Sequence, residues 1–142
     1  MSREHYVAEI IAELGAGLGL SGFALDGSQR ASLIIDGLPV TFTYVAAPVE
    51  LVWIYVDLGE VPENDPRALD ALLQLGFLTW ASNRMTLGVD DRGERVIGQA
   101  AIPAINLDLP ALRGQLGQIT ESAFLIRDRL TRGDFNLETQ AA

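Results

Sequence analysis

The sequence predicts a single α+β domain in which an antiparallel sheet is flanked by helices, with the order α-β-β-β-α-β-β-α. Three observations predict this fold. The run 51–58, Leu-Val-Trp-Ile-Tyr-Val-Asp-Leu, is rich in the β-branched and aromatic residues typical of a strand. Asp36-Gly37 is a strong two-residue hairpin turn. Three other segments carry apolar residues at the spacing of amphipathic helices.

The first helix is predicted from residue 3 to about residue 15. Ser2 can cap its N-terminus, Glu4 suits its first turn, and the glycines at 15, 17 and 19 end it. Its apolar side follows the 3–4 spacing and consists of Tyr6 or Val7, Ile10, Ile11, Leu14 and Leu18.

Residues 31–58 predict a three-stranded antiparallel meander. The Asp36-Gly37 turn pairs Leu33 with Val40 and Ala31 with Phe42. If the connection 47–50 is also a hairpin, Tyr44 lies opposite Trp53 and Phe42 opposite Tyr55. One face of the sheet would then carry Leu33, Val40, Phe42, Tyr44, Trp53 and Tyr55.

The second half of the chain predicts a helix, a hairpin and a last helix. Asp65-Pro66 starts a helix that ends near Asn83. Residues 85–89 and 95–102 form a hairpin around 91–93, and Asp108 or Leu109 opens the last helix, which runs to about Arg132. Residues 1–133 are therefore expected to form one domain, and 134–142 a flexible tail. The apolar side of the helix that follows Asp65 contains Leu69, Leu72, Leu73, Gly76, Phe77 and Trp80.

Both faces of the strand 51–58 are largely apolar, although a small sheet usually needs only one apolar face. The second face must be covered by the chain itself, by another subunit or by a client protein. The aromatic residues of the meander are either core residues or anchors for a partner. The sequence alone does not decide which face the helices cover.

Composition limits the class of protein. The formal net charge is −9 although 49% of the residues are hydrophobic, which suggests an apolar domain kept soluble by surface carboxylates. The ten basic residues are scattered, which argues against nucleic-acid binding. The absence of cysteine excludes disulfides and thiol chemistry, and no apolar run is long enough for a membrane span. We expect a soluble intracellular protein without membrane insertion.

No motif predicts catalysis, a cofactor or a metal. Residues 17–22 match G-x-G-x-x-G, but a helix precedes them and a strand follows, the reverse of a dinucleotide site. His5 is the only histidine, and Asp90, Asp91 and Glu94 lack the spacing of a calcium loop. Further carboxylates that could form an acid–base pair are better explained as a cap and solvated residues; these are Asp57, Glu60, Glu63 and Asp65.

The whole pattern resembles the class I type III secretion chaperones, the CesT/SycE-like family. The local matches run through most of the chain and keep the order and spacing of that family. They are 14–15 with 18–20, 33–37 (Leu-Ile-Ile-Asp-Gly), 58–62 (Leu-Gly-Glu-Val-Pro), the Leu69/Leu72/Leu73 helix, 87–90 (Leu-Gly-Val-Asp) and 102–103.

The resemblance implies a non-enzymatic, cofactor-free homodimer in the bacterial cytoplasm. Such a chaperone binds the N-terminal, non-globular segment of a secreted effector and keeps it soluble and secretion-competent. The alternative is a protein-binding regulator with the same fold that is not tied to secretion. The candidate client-binding residues are Leu14, Leu18, Leu33, Phe42, Tyr44 and Trp53. The candidate dimer-interface residues, in the region where the family places its dimer contact, are Leu73, Phe77, Trp80, Met85 and Leu87.

Overall fold

Helices pack on one face of a five-stranded antiparallel sheet in a computed structural model that describes residues 2–62 and 66–133. The predicted order of helices and strands is confirmed over these residues. The elements are α1 (Glu4–Gly17), β1 (Arg30–Ile35), β2 (Leu38–Val45), β3 (Leu51–Glu60), α2 (Pro66–Asn83), β4 (Thr86–Val89), β5 (Arg95–Pro103), a 3₁₀ turn (Ala104–Asn106) and α3 (Leu109–Arg132).

The sheet order is β1-β2-β3-β5-β4, so β1 and β4 are its two edges. The first hairpin has the predicted register, with Leu33 opposite Val40 and Ala31 opposite Phe42. Both turn residues have positive φ, 48° at Asp36 and 79° at Gly37, as the hairpin turn that suits twisted strands requires. A local turn signal therefore determines this register.

The predicted register between β2 and β3 is wrong by one residue. Tyr44 lies opposite Val52, and Phe42 lies opposite Ile54. The connection between the two strands spans 46–50, one residue more than the predicted 47–50. Because strand side chains alternate between faces, this shift places Trp53 and Tyr55 on the face opposite to Phe42.

The core lies between the helices and the sheet face that carries Val40, Phe42, Ile54, Val56 and Leu58. The buried residues of α1 and α3 belong to the same cluster, which shows that the helices cover this face. α3 lies across β3 and contacts α1 and α2, while α2 lies against the edge strand β4. We call the opposite side of the sheet the open face; it is half-buried and includes Thr41, Thr43, Trp53, Tyr55, Ile97 and Gln99.

The ends of α3 match their sequence signals. Asp108 Oδ1 accepts a hydrogen bond of 2.7 Å from the backbone N–H of Ala111, and Pro110 follows in the first turn. Gly133 ends the helix with φ 67°, the left-handed conformation that glycine adopts without strain. The predicted cap of α2, Asp65, and the predicted tail 134–142 lie outside the described residues.

Candidate functional site

Three of the six candidate client-binding residues are buried in the core of the protomer. Phe42 is fully buried and meets Phe23 edge to face, with ring centroids 6.1 Å apart. Leu14 belongs to the buried side of α1, and Tyr44 to the core side of β2. In this structure these three side chains contribute to packing and present little surface to a partner.

The other three candidates lie at separate places on the surface. Leu18, at the end of α1, is 49% exposed, and Leu33 is half-buried against the core. Trp53 lies on the open face and stacks on Tyr55, with ring centroids 6.0 Å apart. The six residues therefore do not form one continuous patch.

A hydrogen-bond network explains why Tyr44 is buried although it carries a hydroxyl. That hydroxyl donates to Glu50 Oε2 at 2.7 Å, and the backbone N–H of Arg3 donates to the same oxygen at 2.9 Å. Ser2 Oγ lies 3.2 Å from the Tyr44 hydroxyl oxygen, and Arg3 Nε donates to the carbonyl of Ala104 at 2.9 Å. The network attaches the start of α1 to the β2–β3 connection and to the 3₁₀ turn that follows β5.

Two pKa values shift within this network. The bond from the Arg3 backbone N–H, followed by the bond from Tyr44, lowers the pKa of Glu50. Burial raises the pKa of Tyr44, and the adjacent Glu50 adds to that rise. Glu50 is thereby held as a carboxylate that accepts both bonds, as expected where hydrogen bonds favour the charged form.

The outer edge of β1 exposes backbone groups. Tyr44 N–H donates to Gln29 O, and the alternation of an antiparallel ladder then turns the N–H and C=O groups of residues 30, 32 and 34 away from β2. Asp26 bonds both backbone groups of Arg30, because its side chain accepts from Arg30 N–H and its own N–H donates to Arg30 O. Among the residues that the structure describes, only β2 pairs with β1, so the outward groups of Ser32 and Ile34 face a free edge.

A groove lined by both polar and apolar residues runs beside this edge, between residues 20–24 and β1. Its volume is about 450 Å³. Leu20 and Phe23 line one wall, and Leu33 and Ile34 line the other. Ile34 is 71% exposed. The candidate residues predicted from sequence do not include Leu20 or Ile34, although the alternation along Leu33-Ile34-Ile35 indicates that the middle residue points away from the core.

The outer side of α2 forms a second exposed apolar surface, which we call the α2 surface. Leu73 is 76% exposed and Phe77 74% exposed, one helical turn apart, and Leu69 and Trp80 extend the same stripe. The helix instead packs inward through the small side chains of its other side, Ala68 and Ala71, together with Leu72.

Two of the five candidate dimer residues lie beneath the α2 surface. Met85 is fully buried in the core. Leu87 is half-buried, and its Cβ lies 3.6 Å from the position that a Cβ at Gly76 would occupy. Leu73, Phe77 and Trp80 are the candidates that are accessible to a second chain.

The glycine-rich segment and the described carboxylates do not assemble into a nucleotide or metal site. Gly17 ends α1, and a loop then leads into β1, so no helix follows the glycine-rich segment to receive a phosphate. Within residues 2–62 and 66–133 there is no cluster of three His, Cys, Asp or Glu side chains that could hold a metal ion. Asp57 pairs with Arg95 on the sheet, which raises the pKa of that guanidinium. Glu63 and Asp65 lie outside the described residues.

Comparison with known proteins identifies the family. The model of the Tir chaperone protein (CesT) family matches residues 9–124, which is most of the chain. The chain belongs to the CesT family. The match extends from α1 into α3 and includes every strand of the described sheet. No curated protein matches this CesT-family sequence.

Solved structures share the fold of this CesT-family protein. The crystal structure of the ExsC–ExsE complex matches with a TM-score of 0.79 at 22% identity, over 90% of this chain and 96% of the other. The HopA1–SchA chaperone–effector complex matches with a TM-score of 0.75 at 16% identity, over 88% and 95%. The Yersinia pestis type III secretion chaperone SycH, in complex with a fragment of YscM2, matches with 0.64 at 12%, over 84% and 98%.

Each helix in the described part of the chain is too short or too polar to cross a membrane.

Proposed function

We propose that this protein is a dimeric type III secretion chaperone of the bacterial cytoplasm, without catalytic activity. It binds the N-terminal, non-globular segment of an effector and keeps that segment soluble and competent for secretion. Membership of the CesT family and the fold shared with the HopA1–SchA chaperone–effector complex support the proposal. The observation that carries it is the free edge of β1 beside a groove in which apolar side chains flank the strand.

A free strand edge suits a client segment that has no structure of its own. The outward N–H and C=O groups of Ser32 and Ile34 can pair with the backbone of an added strand. These bonds do not depend on the client's side chains, whereas the apolar residues of the groove favour apolar client side chains. Leu20 and Phe23 provide the apolar wall that an added strand would contact.

The client-binding surface that we propose therefore centres on exposed residues rather than on the whole predicted set. Leu18 and Trp53 remain candidates from that set, and Leu33 borders the groove. Leu20 and Ile34 join them because they flank the free edge. Leu14, Phe42 and Tyr44 support this surface from below, as packing residues.

Dimerisation through the α2 surface is compatible with client binding at β1. α2 lies against β4, which is at the opposite edge of the sheet from β1. A stable interface usually buries more than about 1,000 Å² in total. The exposed stripe of Leu69, Leu73, Phe77 and Trp80 supplies an apolar centre for such an interface.

Co-expression with the product of a neighbouring effector gene tests the chaperone function. We expect the effector's N-terminal segment to co-purify with the wild-type protein and to precipitate without it. Ile34→Pro removes the outward N–H while leaving the bonds to β2 intact, so it should abolish co-purification without unfolding the protein. Ile34→Val, which keeps the N–H and the branched shape, is the matched control.

Two results would contradict the proposal. If the Ile34→Pro protein remains folded and still binds the effector segment, the β1 edge is not the docking site. If the protein binds a regulator rather than an effector and deletion of its gene leaves secretion unchanged, the alternative of a regulator outside secretion is correct.

A further inference from the structure

The open face of the sheet contains a trough with one arginine at one end and carboxylates at the other. The carboxylate of Asp26, which accepts from the backbone N–H of Arg30, lies beside the arginine end. The trough begins at Arg30 on β1, crosses a floor that includes Thr43, Tyr55 and Gln99, and ends at Asp90 and Asp91 after β4. Its volume is about 540 Å³. The trough crosses all five strands and moves along them as it does so, so its length is about 25 Å by ordinary strand and residue spacings.

The acidic end of the trough carries a net negative charge. The turn 90–94 holds three carboxylates, Asp90, Asp91 and Glu94, against the single guanidinium of Arg92. The backbone N–H of Glu94 lowers the pKa of Asp90, which keeps that carboxyl ionised. The nearby Asp57 and Arg95 form an ion pair and largely neutralise each other.

The floor of the trough suits the apolar side of a helix. Tyr55 stacks on Trp53, and the surrounding threonines and Gln99 carry short or neutral side chains. An α-helix about 10 Å wide and about 17 residues long would match the length of the trough. An added strand would form few backbone hydrogen bonds here, because the backbone groups under the trough are already paired within the sheet.

We propose that the trough binds an amphipathic helix of the client, with an anionic end over Arg30 and a cationic end over Asp90 and Asp91. The inference rests on the proposed chaperone function and specifies the client's chemistry. Helices commonly carry carboxylates in their first turn and cations in their last, because these charges complement the helix dipole. Charge complementarity with the trough is thus available to an ordinary amphipathic helix.

Calorimetric titration with synthetic peptides tests this inference on the full-length chain. The probes are three Leu/Ala amphipathic helices of about 17 residues with one shared apolar stripe. The first carries Glu in its first turn and Arg in its last, the second Glu at both ends, and the third Arg at both ends. We expect the first peptide to bind most tightly.

Charge-reversal variants locate the binding. Arg30→Glu and Asp91→Arg should each weaken binding of the first peptide about fivefold, which corresponds to about 1 kcal/mol for an exposed charge. Glu121→Arg, the reversal of another exposed charge on α3, is the matched control and should leave binding unchanged. The differences should disappear at about 1 M salt, where the Debye length is ~3 Å.

The inference is wrong if the first peptide does not bind, or if both reversals leave its affinity unchanged. Either result, obtained while the effector segment still co-purifies, refutes the trough and leaves the chaperone function standing. If Arg30→Glu or Asp91→Arg instead alters the oligomeric state, the trough receives a second copy of the chain and the inference is also overturned.

Discussion

The hydroxyl of Tyr44 donates a 2.7 Å hydrogen bond to Glu50 Oε2, and this bond attaches a buried aromatic ring to the β2–β3 connection. Glu50 accepts a second bond from the backbone of Arg3, two residues from the chain's first residue. One carboxylate in the β2–β3 connection thus helps to hold the start of α1 on the sheet. Because the loop that follows α1 borders the groove beside β1, Glu50 also supports the client-binding surface from a distance.

Loss of the Glu50 charge should make stability less dependent on pH. The pKa of Glu50 is lower in the folded protein than its ordinary value, mainly because of the bond from Arg3 N–H. Its contribution to stability is therefore complete above the ordinary carboxyl pKa and is lost as pH falls through the lower, folded value. We expect Glu50→Gln to lower the Tm at about pH 7 and the difference from wild type to shrink towards about pH 3.

Thermal melts of wild type and Glu50→Gln across this pH range provide the measurement. Glu9→Gln, at an exposed position of α1, controls for the loss of one negative charge. A difference in Tm that stays constant on acidification would show that the Glu50 carboxylate does not supply this stability.

Phe42→Ala and Trp53→Ala should separate core residues from surface residues of the meander. Phe42 is fully buried, so truncation should cost about 3–5 kcal/mol of unfolding free energy. Trp53 lies half-buried on the open face, so its truncation should cost less while weakening client binding over tenfold. Denaturant unfolding and client titration of both variants supply the comparison. Equal destabilisation of the two would show that Trp53 is a core residue.

Gly15→Ala and Gly114→Ala should change stability in opposite directions. An added Cβ at Gly15 would lie 2.5 Å from Phe23 Cβ, so the loop after α1 must shift and the variant should be destabilised. Gly114 is in α3 with open space around it, and alanine there should stabilise the helix by up to ~1 kcal/mol. Chemical denaturation measures both effects. Stabilisation by Gly15→Ala would contradict the close packing of Phe23 on α1.

Leu73→Glu should convert the proposed dimer into a folded monomer. Leu73 is 76% exposed in the protomer, so its replacement leaves the core intact but introduces a charge into the proposed interface. Light scattering at micromolar concentration measures the mass. Leu125→Glu is the matched control, because Leu125 is also exposed but lies on α3 and outside the α2 surface. This variant should remain dimeric. A wild-type protein that is monomeric under these conditions would contradict dimerisation itself.

Local signals determined much of this protein from sequence alone. The Asp36-Gly37 turn specified the first hairpin register, and Asp108 with Gly133 marked the ends of α3. Such signals span only a few residues, so they can be recognised without knowledge of the rest of the chain. The order of helices and strands and the family resemblance followed from the same short-range patterns.

The tertiary structure decided the positions that depend on distant parts of the chain. A single additional residue in the β2–β3 connection moved Trp53 and Tyr55 to the open face, and no composition rule specifies that length. Packing of α1 and α3 on the other face buried Phe42 and Tyr44, while the α2 surface stayed exposed. Apolar residues suit a core and a partner-binding surface equally well, so only the placement of the helices distinguishes the two.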